Sequence, residues 1–282
     1  MTDFIDFHLH PPVEALLHGP LAPFLDGLRD VVPRPVEVEA IGDIAQWYRD
    51  HDAKAVLLGW HGGAGSPTAP LDGRRIGQLV AAAPDVFKGF GTADPSLGAA
   101  AVGAIHEIAR LGLDGLSFHP AAQRIEASHR SMEPLWETAA EHDLVCVIHS
   151  GGTRLGAGRL GGSGIMLAPA RPVHVDTVAA EFPDLRIVLA HTGQLWLDEA
   201  LEVVRHKANV WLDISGQHPA SMSRVLRDAV AGELSRRTLF GSDYPFASTP
   251  LEWIAAWNEL GMPESVTRQV LHDNAAGLLG WD

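Results

Sequence analysis

Short apolar runs alternate with helical patterns along this chain, and this alternation limits the possible fold more than any other feature. Eight runs have the length of buried strands, at residues 4–10, 54–60, 86–92, 113–119, 144–150, 186–191, 209–214 and 237–242. Segments with helical periodicity between them include residues 73–83, 98–111, 131–142 and 195–206. Strands that alternate with helices form parallel sheets, and eight such units close into a barrel. The sequence predicts an α/β fold, a single TIM-type (β/α)8 barrel domain over residues 1–282.

Two segments are longer than ordinary connections between elements. Residues 11–39 are rich in proline and residues 151–172 are rich in glycine, and they follow predicted strands 1 and 5. The carboxyl ends of barrel strands form the catalytic face. We therefore interpret both segments as substrate loops, with surface loops of no special role as the alternative.

Composition and charge exclude several classes of protein. No apolar run approaches the roughly 20 residues that a membrane-spanning helix needs, and the start of the chain has no signal-peptide pattern. A net charge of -14 without a basic stripe disfavours nucleic acid as a partner. We expect a cytoplasmic protein that acts on a small molecule without a membrane partner, with a homodimer as the reasonable oligomer.

Polar residues that bind metals stand at the ends of several predicted strands. His8 and His10 are two residues apart on the first strand, so their side chains share one face. His149 ends the fifth strand and Asp243 follows the eighth, and closure of the barrel would bring all four to one mouth. Three imidazoles and one carboxylate suit one divalent ion. Zn²⁺ is the expected ion, and Mn²⁺, Fe²⁺ and Co²⁺ also fit this ligand set.

Five segments together resemble a known family. They are IDFHLH at 5–10, VIHSGG at 147–152, IVLAHTG at 187–193, LFGSDYP at 239–245 and VLHDNAAGLLG at 270–280. In this order they resemble the amidohydrolase superfamily, in the amidohydrolase-related branch that includes aminocarboxymuconate semialdehyde decarboxylase and related metal-dependent hydrolases. The resemblance implies a distorted barrel with the metal on His8, His10, His149 and Asp243. It also implies an acid/base or substrate-polarising role for His191.

The fourth predicted strand departs from the binuclear members of that superfamily. Those members bridge two metals with a carboxylated lysine at the end of strand 4, whereas this strand reads GLSFHP at 115–120. We therefore expect one metal rather than a bridged pair. His119 lies at that strand end, where it would either contact substrate or stabilise its own loop.

The metal site supports two reactions. In hydrolysis, a divalent ion lowers the pKa of bound water from about 15.7 to about 7. Asp243 would accept the proton of that water while His191 stabilises or protonates the oxyanion, or the two roles are exchanged. The substrate would be an ester, lactone, amide or β-dicarbonyl compound. The alternative is a lyase that decarboxylates an aromatic or unsaturated carboxylate, with Arg154, Arg159 and Arg171 as candidate cationic anchors. A third reading is a barrel that binds metal and ligand without turnover.

Five further residues complete this scheme. Trp60, His61 and Tyr244 follow strands and are candidates for lining a pocket for a planar or apolar acyl group, although Trp60 would serve equally to pack the top of the barrel. Asp6 has the inward parity of His8, which predicts a supporting partner or a buried structural acid. Cys146 alternates with His149, so we expect it on the opposite strand face as a buried, unreactive thiol.

Overall fold

Eight strands form one parallel sheet in which each strand pairs with its neighbour in the chain. The computed structural model describes residues 3–32, 34–63, 66 and 68–281. The strands are β1 (Phe4–Leu9), β2 (Ala53–Leu58), β3 (Phe87–Gly91), β4 (Gly115–Phe118), β5 (Val145–His149), β6 (Arg186–Ala190), β7 (Val210–Asp213) and β8 (Thr238–Leu239). Every predicted run overlaps a strand, each strand is shorter than its predicted run, and only β2 begins before its run, by one residue. The difference is largest at β8, which has only 2 residues.

Contacts between β1 and the chain that follows β8 bring the two ends of the sheet together. The backbone N–H of Phe7 donates to the carbonyl of Phe240 at 2.9 Å, and the N–H of Asp243 donates to the carbonyl of His8 at 2.9 Å. The predicted barrel is thus confirmed. The same contacts hold Asp243 beside the end of β1.

Helices follow the strands, and the longer ones cover the outside of the sheet. They are α1 (Glu14–Leu17), α2 (Leu25–Arg29), α3 (Ile41–Asp50), α4 (Gly73–Ala82), α5 (Ala99–Arg110), α6 (Pro120–Gln123), α7 (Glu133–Glu141), α8 (Val173–Glu181), α9 (Leu197–His206), α10 (Arg224–Ala231), α11 (Pro250–Glu259), α12 (Glu264–Arg268) and α13 (Asn274–Leu279). The four predicted helices correspond to α4, α5, α7 and α9. Local chemistry sets the helix starts: the Asp72 carboxylate accepts from the Arg75 N–H at α4, and Thr249 with Glu252 forms a capping box at α11.

The core has two apolar layers because alternate strand residues face opposite sides of the sheet. The inner cluster contains Ile5, Phe7, Val56, Leu58, Phe90, Val145, Val147, Val188, Ala190 and Leu239, with three residues of α13. The outer cluster lies between strands and helices and includes Cys146. This is the face that the sequence predicts for Cys146, and burial raises the pKa of its thiol.

The two long segments follow β1 and β5, as the sequence predicts. Residues 11–39 contain α1, a 3₁₀ turn (Ala22–Phe24) and α2, whereas residues 151–172 contain 3₁₀ turns at Leu160–Gly164 and Ala168–Ala170. Among the residues that the structure describes, no helix has both the length and the apolarity needed to cross a bilayer.

Candidate active site and metal centre

Three of the four predicted ligands meet at the carboxyl ends of β1 and β8. His8, His10 and Asp243 each offer one ligand atom, and these atoms lie within 4.8 Å of one another. The Nε2 atoms of the two histidines are 3.2 Å apart. Asp243 Oδ1 lies 3.9 Å from Nε2 of His8 and 3.7 Å from Nε2 of His10.

A buried carboxylate on β7 sets the orientation of His8. Nδ1 of His8 lies 2.6 Å from Oδ2 of Asp213, and both side chains are buried. Burial lowers the pKa of His8 to about 3 and raises the pKa of Asp213 to about 6, so at neutral pH a neutral ring faces a carboxylate. Because a carboxylate only accepts, Nδ1 of His8 carries the proton and donates it. Nε2 is left with a free lone pair towards His10 and Asp243, the usual arrangement of a metal-binding histidine.

The donor set fits a divalent ion. Burial keeps the pKa of His10 well below its usual value, so its ring is neutral and able to ligate. Its Nδ1 is buried without a hydrogen-bond partner among the described residues. Two imidazole nitrogens on one tetrahedral Zn²⁺, each at about 2.0–2.1 Å, lie about 3.4 Å apart, close to the 3.2 Å between Nε2 of His8 and Nε2 of His10.

His149 lies at the same mouth but outside this group of three. Its ring stacks on that of His119, with centroids 3.9 Å apart and planes 12° from parallel. Nε2 of His149 is buried and has no hydrogen-bond partner among the described residues. His119 itself accepts from the N–H of Ala122 through Nδ1 at 3.2 Å, so it stabilises its own turn while it also lines the cavity described below.

His191 is joined to Asp213 through Ser215. The Ser215 hydroxyl donates to Oδ2 of Asp213 at 2.9 Å and lies 3.0 Å from Nδ1 of His191. Since the single hydroxyl proton goes to the carboxylate, Nδ1–H of His191 is the donor to Ser215. Nε2 of His191 therefore has a free lone pair. Burial lowers the pKa of His191 to about 4, so this neutral form is the one present at pH 7.

The backbone at His191 and Asp243 is strained. Both residues have left-handed backbone angles, with φ of 65° and 55°, which non-glycine residues rarely adopt. Such angles concentrate at sites where a side chain must be presented in one direction. Gly216 completes the arrangement because a Cβ there would lie 2.6 Å from Nδ1 of His191.

Asp6 is a buried structural acid rather than a partner of the histidine rings. The register of β1 against β2 shifts between Asp6 and Leu9, so strict alternation does not hold. The Asp6 carboxylate accepts from the hydroxyls of Tyr48 at 2.7 Å and Ser242 at 2.6 Å, and from the Ser242 N–H at 2.8 Å. It thereby fixes the residue that precedes Asp243.

A cavity of about 350 Å³ opens above these residues. The predicted residues that line it are His10, Trp60, His119, His149, Arg154, His191 and Asp243. The other candidates lie elsewhere: Arg159 pairs with Asp30 and Arg171 with Glu199.

His61 and Tyr244 are also absent from the cavity lining. His61 accepts from the N–H of Gly63 and lies 3.8 Å from Asp94, whereas the Tyr244 hydroxyl donates to Glu39. Each side chain points towards a residue of another loop, Asp94 for His61 and Glu39 for Tyr244. Its position at the end of a strand does not predict this contact.

Sequence reasoning missed Asp213 and Ser215. The motif WLDIS at 211–215 ends a predicted strand in the same way as LFGSD at 239–243, and this was the available signal. The sequence pattern does not show that Asp213, at the end of β7, contacts the ring of His8, because this contact depends on the fold.

Comparison with protein families gives one match over almost the whole chain. The model of the amidohydrolase family matches residues 5–281. Proteins of this family generally bind a divalent metal ion. A search of curated protein sequences finds no significant match.

Solved structures share the fold at low sequence identity. An uncharacterized TIM-barrel protein from Bordetella bronchiseptica is 22% identical, with 99% of each chain covered and a TM-score of 0.82. A probable 2-pyrone-4,6-dicarboxylic acid hydrolase from Acinetobacter baumannii is 12% identical (99% and 100% covered, TM-score 0.64). A dihydroxybenzoic acid decarboxylase from a Polaromonas species, solved with bound manganese and the inhibitor 2-nitroresorcinol, is 18% identical (99% and 97% covered, TM-score 0.64).

Proposed function

Because this chain belongs to the amidohydrolase family, we propose that it is a metal-dependent hydrolase of a small organic substrate. Esters, lactones, amides and β-dicarbonyl compounds are the substrate classes that a metal-activated water attacks at a carbonyl carbon. The free Nε2 of His191 is the observation that carries this proposal, because hydrolysis begins with removal of a proton from water.

The metal would be held by His8, His10 and Asp243, with His149 as a fourth ligand after a movement of its ring. When bound, a divalent ion supplies an acidified water and polarises the substrate carbonyl. Zn²⁺ is our first choice for two or three imidazoles with a carboxylate. Mn²⁺ is the second, because the Polaromonas decarboxylase was solved with bound manganese.

The protein's own residues supply the proton transfers. Nδ1–H of His191 is already committed to Ser215, which donates to Asp213. Nε2 can therefore accept a proton, and the charge that develops on the ring is stabilised through Ser215 by the Asp213 carboxylate. His191 then returns the proton from Nε2 to the leaving group. Asp243 would share the first step if it contacts both the ion and the water.

Metal analysis and one variant test this proposal. We expect about one equivalent of a divalent metal in protein purified without added metal. His191→Ala should retain that metal and lose turnover of the ester, lactone, amide or β-dicarbonyl substrate that the wild type hydrolyses. Normal turnover by this variant would remove His191 from the mechanism, and protein that takes up no metal on dialysis would refute the centre.

Decarboxylation is the second candidate. It is favoured by Arg154, a cation at the cavity that suits an aromatic or unsaturated carboxylate. It requires a proton donor to carbon, whereas the hydrogen bonds of His191 leave Nε2 as an acceptor. Two parallel screens separate the candidates. Release of CO₂ from an aromatic carboxylate, without hydrolysis of any ester, lactone, amide or β-dicarbonyl compound, would show that the protein is a lyase rather than a hydrolase.

A further inference from the structure

A leucine stands at a turn position that normally holds glycine or asparagine. Residues 193–196 form a β-turn after β6, which is closed by the N–H of Trp196 donating to the carbonyl of Gly193 at 2.6 Å. Leu195, the third residue of this turn, has a φ of 84°. A φ near +80° at that position is typical of a type II turn, and a residue with a large side chain rarely adopts it. The leucine is therefore held in a strained backbone conformation.

The side chain of Leu195 contributes little to the packing of the fold. It is 71% exposed, the highest value among the large apolar residues that line the cavity. Backbone contacts hold the turn against the segment after β5: the N–H of Gly152 donates to the carbonyl of Gln194 at 2.9 Å. Gly151 approaches so closely that a Cβ there would lie 2.6 Å from the backbone nitrogen of Gln194. The turn is thus fixed through its backbone, without help from the leucine side chain.

Leu195 lies at the outer end of the cavity, away from the residues proposed to do the chemistry. Its exposure places it at the mouth, whereas Asp243, which lines the same cavity, is buried. Leu167, from the segment after β5, also lines the cavity and is 42% exposed. Leu21, Leu28 and Leu155 add further apolar wall. A ligand with its polar group near Asp243 and an apolar chain along this wall would cover Leu195.

We propose that Leu195 is a specificity-determining residue, which selects substrates that carry an apolar chain or ring on the side facing the mouth. The inference rests on the proposed function, because it names the part of the substrate that the same site recognises. A single exposed leucine is ordinary on a protein surface, but this one is also strained and lines a cavity. Backbone strain concentrates at ligand sites, where the side chain serves the ligand rather than the fold. Covering the leucine with apolar substrate removes its surface from water and favours binding.

Binding of straight-chain hydroxamic acids to the metal-loaded protein, measured by calorimetry, tests this proposal. The hydroxamate group chelates a divalent metal, so a longer alkyl chain extends further from the centre. Each methylene that is buried should tighten binding about fourfold, and we expect the wild type to bind hexanohydroxamate at least about tenfold more tightly than acetohydroxamate. In Leu195→Asn this ratio should fall at least about threefold, with the affinity for acetohydroxamate unchanged.

Thermal melting without a ligand is the second measurement. Asparagine adopts left-handed backbone angles more readily than leucine, so Leu195→Asn should melt about 1–2 °C higher than the wild type. Leu195→Met keeps an apolar side chain and should keep the chain-length ratio of the wild type. Leu160→Asn is the matched control and should change neither measurement, because Leu160 is an exposed leucine of the segment after β5 outside the described cavity lining.

Four results would overturn the proposal. They are an unchanged chain-length ratio in Leu195→Asn, an equal fall in Leu160→Asn, a lower melting temperature in Leu195→Asn, and a wild type that binds the two hydroxamates equally or not at all. Neither measurement needs turnover, so the result is separate from that of the hydrolase proposal. A protein that prefers hexanohydroxamate through Leu195 but hydrolyses no carbonyl compound would uphold this contact and refute the hydrolase.

Discussion

The same strands build two different regions, an apolar barrel interior and a polar mouth above it. In the interior, Phe7 packs edge-on against Phe90 with ring centroids 5.7 Å apart, and Val147 and Val188 are almost fully buried. One to three residues further along, the strands end in histidines and aspartates, and of these His8, His149 and Asp243 are also buried. Apolar burial stabilises the fold, whereas buried polar groups cost free energy unless they are paired. Stability therefore comes mainly from the apolar residues in the interior, whereas the chemistry depends on the polar residues at the strand ends.

Asp243→Ala should cause the largest loss of activity, and its effect should be confined to the mouth. The variant loses a metal ligand and the carboxylate nearest to the proposed water, so we expect activity to fall about a thousandfold or more. Burial raises the pKa of Asp243 well above its usual value, so removing this carboxylate relieves a desolvation penalty and should not unfold the barrel. Steady-state kinetics, metal content and thermal melting check this. Loss of the folded state in this variant would contradict the separation.

Phe7→Ala tests the other region. Truncation of a fully buried aromatic residue leaves a cavity and typically costs about 3–5 kcal/mol of unfolding free energy. We expect denaturant unfolding to show this loss while the metal content of the folded protein stays unchanged. Loss of the metal without loss of stability would show that the interior positions the mouth directly.

The extent to which the sequence predicts the molecule also differs between these regions. Strand and helix positions follow from apolar periodicity, which is a local property, and so does the placing of His8 and His10 at the end of β1. Side-chain partners at the mouth depend on contacts between distant segments. Strict alternation predicts Asp6 on the face of His8, but the register shift turns its carboxylate to Tyr48 and Ser242 instead.

Loop arginines show the same limit. Arg154 and Arg159 lie in one glycine-rich stretch and are indistinguishable by sequence pattern. The structure separates them because Asp30, from the segment after β1, reaches Arg159. Such a contact joins two irregular segments, and no periodicity records it.

Asp213→Asn should reduce the metal affinity of the site by an intermediate amount. The amide cannot provide the carboxylate that fixes Nδ1–H of His8, so the ring loses its preferred orientation. Changes of this kind typically weaken metal affinity about 10–100-fold. Competition with a chelator measures the affinity.

Ser215→Ala is the control for Asp213→Asn, because it leaves the bond between His8 and Asp213 in place but removes the link to His191. We expect metal affinity close to that of the wild type and a lower rate of turnover. Equal losses of metal in both variants would contradict the separate roles of the two links.

The reactivity of Cys146 should respond least to changes at the mouth. Its side chain lies on the helix side of β5, whereas His149 ends the same strand at the mouth. Only the thiolate reacts with disulfide reagents, and burial raises the pKa of this thiol above its ordinary value, so the thiol form persists at pH 8. We expect no labelling of the folded protein by an aromatic disulfide and full labelling in denaturant. Addition or removal of the metal should not change this, because the two faces of the strand are separated by the sheet. Labelling that becomes fast when the metal is removed would show that the mouth and the outer layer open together.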